Sequence, residues 1–258
     1  MTPSVLITGG GTGIGAASAR ALAARGYDVC VTGRRAAPLE ALAAELGGLA
    51  VVADTADPVA VAAAVDAAVE RFGRLDALVC SAGTGAAGTV TEQSLERWNA
   101  VLATNLTGAF LACRAALPHL VERAGSVVTV SSLAGLRAGP AAAAYSASKA
   151  GLIMLTRSIA VDYGPRGVRA NCVCPGWIRT DMADGEMDDL AARTGAGARE
   201  DAYARATASV PSRRPGTAEE AGETVAWLAS PASSYVNGAV LAVDGGASVV
   251  DVATLAFA

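Results

Sequence analysis

Short runs of apolar and β-branched residues alternate along the chain with longer segments in which Ala and Leu recur at helical spacing. Strands are predicted over 4–8, 28–32, 49–53, 77–80, 126–130, 169–173 and 240–243, and helices over 13–25, 38–46, 58–72, 95–123, 145–163 and 218–229. Pro38 and Pro58 stand near two of these helix starts, where a missing N–H costs little. Strand and helix in alternation are the pattern of repeated βαβ units. The expectation is an α/β fold, a Rossmann-like, doubly wound parallel sheet of about seven strands with helices on both faces. No Pro- or Ser-rich linker and no solenoid-length repeat divides the 258 residues, so a single domain over 1–258 is expected.

One stretch breaks the pattern. Over 181–215, Asp181, Asp184, Glu186, Asp188 and Asp189 precede Arg193, Arg199, Arg205, Arg213 and Arg214. Charges so arranged fit either a solvated helical excursion or a mobile lid over a substrate.

Composition narrows the partners. At 52% apolar residues the chain can fill a sizeable core, and a formal charge of −4 offers no broad basic surface for phosphates, so nucleic-acid binding is not expected. The uncharged side chains of 1–19 include Gly9, Gly10, Gly11, Gly13 and Gly15 and lack a basic start, which argues against a signal peptide or a span. The uncharged run 98–113 is short and broken by Asn99, Thr104, Asn105 and Thr107. A soluble, cytoplasmic protein with no membrane partner is expected. Cys30, Cys80, Cys113, Cys172 and Cys174 lie mostly inside apolar runs and read as reduced, buried thiols. Cys172 and Cys174 would share a strand face, but no second Cys/His pair accompanies them and no metal is expected.

Of the 20 basic residues, all but Lys149 are arginines, and His119 is the only histidine. Histidine-based triads have little scope, and ammonium chemistry must come from Lys149 or the amino terminus. His119 follows Pro118 in a probable-surface helical stretch and reads as structural.

The segment Val5-Leu6-Ile7-Thr8-Gly9-Gly10-Gly11-Thr12-Gly13-Ile14-Gly15 places a strand, a glycine turn and a helix start in succession. Glycines there let the backbone approach a pyrophosphate, whose charge a helix N-terminus stabilises. The spacing from Thr8 and Gly9 to Gly13 and Gly15 resembles the short-chain dehydrogenase/reductase family, and further landmarks follow in order as far as Gly246.

That resemblance implies a dinucleotide site that opens with Gly9, Gly11, Thr12, Gly13, Ile14 and Gly15 and also draws on Asn105, Tyr145 and Lys149, the last gripping the ribose. At the end of the second strand, Gly33 stands where NAD-using members have Asp, and Arg34 and Arg35 follow. An acid there would accept from ribose hydroxyls, whereas arginine pairs with a 2′-phosphate. NADP(H) is therefore preferred, with NAD(H) as the alternative. Asp54 resembles the residue that touches the adenine, with Thr55 beside it, and Ser81-Ala82-Gly83 resembles the family's Asn-Ala-Gly turn. Ser81 in place of Asn is a departure, expected to alter local stability more than chemistry.

Tyr145 and Lys149, four apart at the start of a long helix, share one face. A phenol is a poor base at neutral pH, but a nearby ammonium and an oxidised nicotinamide favour phenolate. In the reducing direction Tyr145 would donate its proton to the nascent alkoxide. Ser132, thirteen residues upstream, matches the family's catalytic serine and would hold the carbonyl oxygen, with Ser131 as a structural neighbour. Asn105, at a helix-interior position where Asn has poor propensity, resembles the fourth catalytic residue, which helps position a water for proton relay. By the same resemblance the turn Pro175-Gly176-Trp177-Ile178-Arg179-Thr180 orients the nicotinamide, Ile178 through its backbone and Thr180 through its hydroxyl, and Trp177 walls the pocket. The stretch 181–215 then matches the variable substrate loop. The tail 247–258, apolar apart from Ser248, Asp251 and Thr254, is expected to pack on a neighbouring subunit in a homotetramer.

The resemblance thus implies an NADP(H)-dependent oxidoreductase that reduces a ketone to a secondary alcohol or runs the reverse. A 3-oxoacyl thioester or polyketide-type carbonyl competes with the free secondary alcohols, sugars, steroids or terpenoids of an NAD(H)-dependent dehydrogenase. Arg213 and Arg214 would suit a basic entrance for an acyl carrier. A dinucleotide-sensing protein without redox chemistry is the alternative of another class, and it would have no need for Asn105, Ser132, Tyr145 and Lys149 together.

Overall fold

The computed structural model describes residues 2–85, 87–195, 197–251 and 253–254. In chain order the elements are β1 (Ser4–Thr8), α1 (Gly13–Ala23), β2 (Asp28–Gly33), α2 (Ala36–Leu46), β3 (Leu49–Val52), α3 (Pro58–Phe72), β4 (Ala77–Cys80), α4 (Leu95–Leu102), α5 (Gly108–Val121), β5 (Ser126–Val130), α6 (Ala143–Tyr163), β6 (Arg169–Pro175), α7 (Asp181–Thr194), α8 (Arg199–Ala206), α9 (Ala218–Ala229) and β7 (Val240–Val243). Seven parallel strands form one sheet in the order β3-β2-β1-β4-β5-β6-β7, the doubly wound arrangement predicted above.

The five inner strands β2, β1, β4, β5 and β6 are buried along most of their length on both faces, and their apolar side chains divide by parity. Leu6, Cys30, Leu78, Cys80 and Val127 pack against α3, α5 and α6. Their neighbours Val5, Ile7, Val29, Val31, Ala77, Val79 and Val128 pack against α1, α2 and α9. A period of two with both sets apolar is what a central parallel strand requires. All five cysteines are free and buried.

Local chemistry sets the boundaries. Asp57 caps α3 by accepting from the Val59 and Ala60 N–H groups at 2.8 and 3.2 Å, Pro58 opens it, and left-handed Gly73 closes it. α2 starts at Ala36, ahead of Pro38, whose missing N–H still falls among the unpaired donors of the first turn. The helix predicted over 95–123 is interrupted: α4 runs into a π-helical turn, Ala103–Thr107, before α5 begins. By length and composition Leu95–Val121 is apolar enough to cross a membrane, with a mean hydropathy of 1.4. Here Ala112, Cys113, Ala116, Leu117 and Leu120 give its apolar stripe to the sheet.

The strand order reverses between β1 and β4, so the connections leaving these two strands depart in opposite directions and open a crevice at their carboxyl ends. Beyond β6, α7 and α8 pair over that crevice. Of the tail, 255–258 lie outside the described residues, as does Val252; Ala247 accepts a hydrogen bond from Arg137 Nη2 at 2.6 Å, and Val249 is exposed.

Candidate active site

The crevice holds a cleft of about 1490 Å³. Ligand pockets commonly measure about 300–1,000 Å³, so the space admits a dinucleotide and a second molecule. Its floor is the turn after β1. Gly9 has φ +64°, and a Cβ there would lie 2.6 Å from Ala82 Cα, so the turns after β1 and β4 touch through it. A Cβ on Gly11, by contrast, would meet nothing nearer than Leu39 at 3.4 Å. Packing does not require that glycine; it leaves bare backbone facing the cleft. Thr12 makes no side-chain cap on α1, and no acidic residue sits in the first turn. The free N–H groups and the positive helix end are left for an anion, which fits the dinucleotide pyrophosphate.

Around this floor the structure gathers Gly9, Gly11, Thr12, Gly13, Ile14, Arg34, Arg35, Thr55, Ser81, Ala82, Gly83, Pro175, Gly176, Ile178 and Thr180 as cleft-lining residues. Arg35 Nη2 donates to Thr12 Oγ1 at 3.2 Å, tying the arginine pair after β2 to the glycine turn. A Cβ on Gly33 would meet only Leu39, at 3.8 Å, so packing leaves room there for the acidic residue that this chain lacks. Three expected cofactor residues, Gly15, Asp54 and Asn105, stand off the lining. Gly15 lies beneath the turn, where a Cβ would come within 2.2 Å of the Gly9 carbonyl oxygen. Asp54 folds back to accept from the Ala56 N–H at 3.0 Å. At Ser81 the backbone N–H donates to the Thr8 carbonyl at 3.1 Å, and the neighbouring Ala82 N–H reaches Thr8 Oγ1 at 3.4 Å. Thr8 thereby supplies side-chain support at the turn where Ser81 has replaced Asn.

The chemical end lies at the mouths of β4, β5 and β6. Ser132 closes β5 in extended geometry and accepts from the Ala134 N–H at 3.1 Å, which pins the following turn. Its neighbour Ser131 donates to the Lys149 carbonyl at 2.8 Å, clamping the strand end to α6. Lys149 is only 4% exposed, donates from Nζ to the Val130 carbonyl at 2.8 Å, and faces the Tyr145 ring 5.7 Å from its centroid. Burial brings its pKa down to about 8. Tyr145 moves the other way. Burial raises its pKa, a side-chain hydrogen bond with Ser132 opposes the shift, and the nearby charge of Glu186 adds to it. In the chain alone burial therefore outweighs the pull toward phenolate at Tyr145, and the Lys149 ammonium is hydrogen-bonded to the Val130 carbonyl.

Asn105 sits in the π-helical turn, fully buried and outside the cleft lining. Its Oδ1 accepts from the Thr84 N–H at 2.8 Å, while Nδ2 donates to the Thr84 carbonyl at 2.9 Å and to Ser148 Oγ at 3.0 Å. Both amide donors are taken, so the side chain acts as a staple between the loop after β4 and α6. A π turn of this kind is characteristic of functional sites.

The far wall is α7 and the segment leading to it. The Ile178 segment bridges to Gly216 through the Arg179 N–H and the Trp177 carbonyl, which leaves both backbone groups of Ile178 out of that bridge. Thr180 caps α7 by accepting from the Ala183 N–H at 3.2 Å, and its methyl would lie 3.1 Å from a Cβ on Gly13. Trp177, Met182, Glu186, Met187 and Leu190 line the cleft. Among these, Glu186 and the loop residues Thr84 and Gly85 carry no sequence signal that separates them from their neighbours. The arginines proposed for a basic entrance are engaged elsewhere: Arg214 pairs with Glu220 at 2.7 Å, and Arg213 donates to the Ala208 carbonyl.

A family model described as enoyl-(acyl carrier protein) reductase matches residues 9–248. The chain is 45% identical to protein MoaE of Klebsiella aerogenes over 100% of both chains. It is 38% identical to 2-(R)-hydroxypropyl-CoM dehydrogenase of Xanthobacter autotrophicus, over 95% of this chain and 98% of that one. The chain belongs to the short-chain dehydrogenase/reductase family. As a member it is an oxidoreductase of secondary alcohols and ketones. Among solved structures, an actinorhodin polyketide ketoreductase variant with NADPH superposes with a TM-score of 0.90 at 34% identity, covering 95% of this chain and 97% of the other. In this short-chain dehydrogenase/reductase the match takes in the glycine turn, the Ser132–Tyr145–Lys149 group and the stretch forming α7 and α8.

Proposed function

We propose that the chain interconverts a ketone and a secondary alcohol with NADP(H), using Ser132, Tyr145 and Lys149, with Asn105 in support. The reading rests above all on one observation: Ser132, Tyr145 and the buried Lys149 converge on the same cleft as the open glycine turn, with the Lys149 ammonium 5.7 Å from the centre of the Tyr145 ring. When bound, the nicotinamide supplies or accepts the hydride. The Ser132 hydroxyl holds the carbonyl oxygen and Tyr145 delivers the proton to it. Because burial keeps that proton on the phenol, Tyr145 rests as an acid at neutral pH, which suits reduction. Lys149, at about 8, is mostly protonated there and stands ready to replenish the proton. Asn105 keeps the Thr84 loop and the first turn of α6 in register beneath the pair.

Arg34 and Arg35 support NADP(H), since a guanidinium pairs with a 2′-phosphate through charge-assisted bonds. The engagement of Arg213 and Arg214 with the chain's own groups favours a free ketone or alcohol over a carrier-bound thioester. We assign 181–215 as the substrate loop and take the apolar tail 247–258, within which Val249 is exposed, as a subunit contact in a homotetramer.

The test follows the absorbance of NADPH and of NADH against a panel of ketones. Tyr145→Phe should lower kcat by about 10²–10⁴-fold while NADPH still binds. Arg34→Ala with Arg35→Ala should erase the preference for NADPH by raising its KM about tenfold or more. Undiminished turnover by Tyr145→Phe would remove the assigned acid, and failure to bind either cofactor would remove the glycine-turn reading.

A further inference from the structure

The acidic residues of α7 divide into two sets. Asp184 and Asp188 turn outward to Arg199, at 3.0 and 2.6 Å, and Asp184 also accepts from the Tyr203 hydroxyl at 2.7 Å. Glu186 turns inward to line the cleft, and among the described residues it takes no hydrogen bond or ion pair. A Cβ on Gly85 would lie 3.5 Å from Glu186 Oε1, and a Cβ on Gly83, two residues earlier, would lie 3.4 Å from Lys149 Nζ. The carboxylate therefore reaches across the mouth to the same loop that floors the chemical end, and its charge acts on the Tyr145 hydroxyl. The cleft walls hold its own pKa above the ordinary value, burial first and neighbouring Asp189 second. Glu186 is exposed while the cleft stands open, so water satisfies its carboxylate there; a substrate seated over it must replace that water with a donor of its own or leave the acceptor unsatisfied.

We propose that Glu186 determines specificity by accepting a hydrogen bond from a second donor group on the substrate, a hydroxyl or a protonated amine close to the reacting carbon. This rests on the ketone/alcohol reading above. A substrate with such a donor gains a charge-assisted bond, while a plain ketone or alcohol covers Glu186 without satisfying it. Discrimination therefore works by both gain and penalty. Gly85 presents bare backbone to the carboxylate, where a Cβ would already be in contact with it at 3.5 Å. The other charges lining this cleft are Lys149 beneath the Tyr145 ring, Asp181, Asp189 and Arg193 from α7, Arg97 from α4, Arg137 after β5, Arg214, Asp244 after β7 and, at the cofactor end, Arg34 and Arg35.

The test uses the full chain with its cofactor and three alcohols that differ only in the neighbouring group: isopropanol, propylene glycol and isopropanolamine. The two donor-bearing alcohols should exceed isopropanol in kcat/KM by about tenfold or more. Glu186→Gln should shrink that ratio by a similar factor, and Glu186→Asp should recover part of it. A larger loss for isopropanolamine identifies an ammonium partner, and an equal loss identifies a hydroxyl. In alcohol oxidation Tyr145 must take up the proton as phenolate, so the acidic limb of the kcat profile should also move to lower pH in Glu186→Gln, because a negative charge near Tyr145 has gone; a merely structural role would leave that limb in place. Wild-type ratios near one, or a ratio that Glu186→Gln leaves unchanged, overturn the inference while the ketone/alcohol reading stands. Absence of turnover with all three alcohols and with every ketone overturns both.

Discussion

The sheet with its two helical layers and the flap of α7 and α8 meet across one cleft, yet different forces hold them. On the sheet side, fully buried strands pack alternate residues into two apolar layers, and the reacting groups stand on strand ends and on α6. On the flap side the apolar core is Ala183, Met187, Ala191, Ala202 and Tyr203, and much of the remaining cohesion is polar. Arg199 pairs with Asp184 and Asp188, Arg179 pairs with Glu200 at 2.5 Å, and the Arg179 guanidinium stacks 4.5 Å from the centre of the Tyr203 ring. Surface ion pairs add little net stability, so the flap is expected to open well before the sheet unfolds. A rigid platform with a weakly held cover suits a site that must fix its acid and admit its substrate.

The sharpest way to break this comparison is to make the same kind of cut on each side. Leu78 on β4 is completely buried in the main core, and Leu78→Ala should cost about 2–5 kcal/mol of a total near 5–15, lowering Tm plainly. Met187 is just as enclosed, but in the flap. Met187→Ala should leave Tm nearly unchanged, speed hydrogen exchange along α7 and raise the KM for the ketone. An equal fall in Tm for both variants would mean that the flap belongs to the same cooperative unit as the sheet.

The two sides also differed in how much their residues disclosed beforehand. β1, β4 and β5 were legible to the residue because both faces of each strand are apolar and the run ends where the burial ends. Lys149 was legible because no other lysine competes with it. The pairing inside the flap was not, since Arg199 finds Asp184 and Asp188 only through the packing of α7 on α8, and the five acids of α7 look alike until that packing sorts them. Glu186 was hidden for this reason. The π turn at Asn105 was hidden for a related one: its side chain is drawn to the backbone of Thr84, a partner set by tertiary structure. Gly15 and Asp54 matched a motif, but they support the turn and the β3 loop rather than the cleft wall.

A second measurement sharpens the platform side. The Lys149 pKa falls from 10.5 to about 8 on folding because the buried ammonium loses its water. Below pH 8 both states hold the proton, and the folded state carries the whole cost. Between about 8 and 10.5 the unfolded chain keeps a proton that the folded chain has shed, so this group's contribution to stability rises with pH, by about 3 kcal/mol in all. The buried thiols differ among themselves: Cys30 is pushed up to about 12 and acts oppositely, whereas Cys172 is drawn down, in part by the Lys149 charge. The difference between wild type and Lys149→Met cancels Cys30 and reads the lysine together with its coupling to Cys172. In urea melts of the cofactor-free chain, the advantage of Lys149→Met should shrink steadily from pH 8 to 10. A pH-independent difference would mean that the ammonium is not desolvated in the folded protein.

The smallest expected effect probes the polar cohesion of the flap. The Tyr203 ring is buried between α7 and α8, and its hydroxyl donates to Asp184 Oδ1 at 2.7 Å. Tyr203→Phe keeps the ring and removes that bond alone. Asp184 retains Arg199 and is partly exposed, so water can replace the lost donor and no buried charge is orphaned. The loss should be about 1 kcal/mol, near the net worth of one hydrogen bond, and should fall on the flap alone. Amides of α8 should exchange several-fold faster, while those of β4 and β5 keep their protection and Tm stays put. Because the change lies on the outer side of α7, the pH profile of kcat set by Tyr145 should not move. A shift in that profile would mean that the packing of α8 positions Glu186 against Tyr145, so that the cover helps set the chemistry instead of only admitting the substrate.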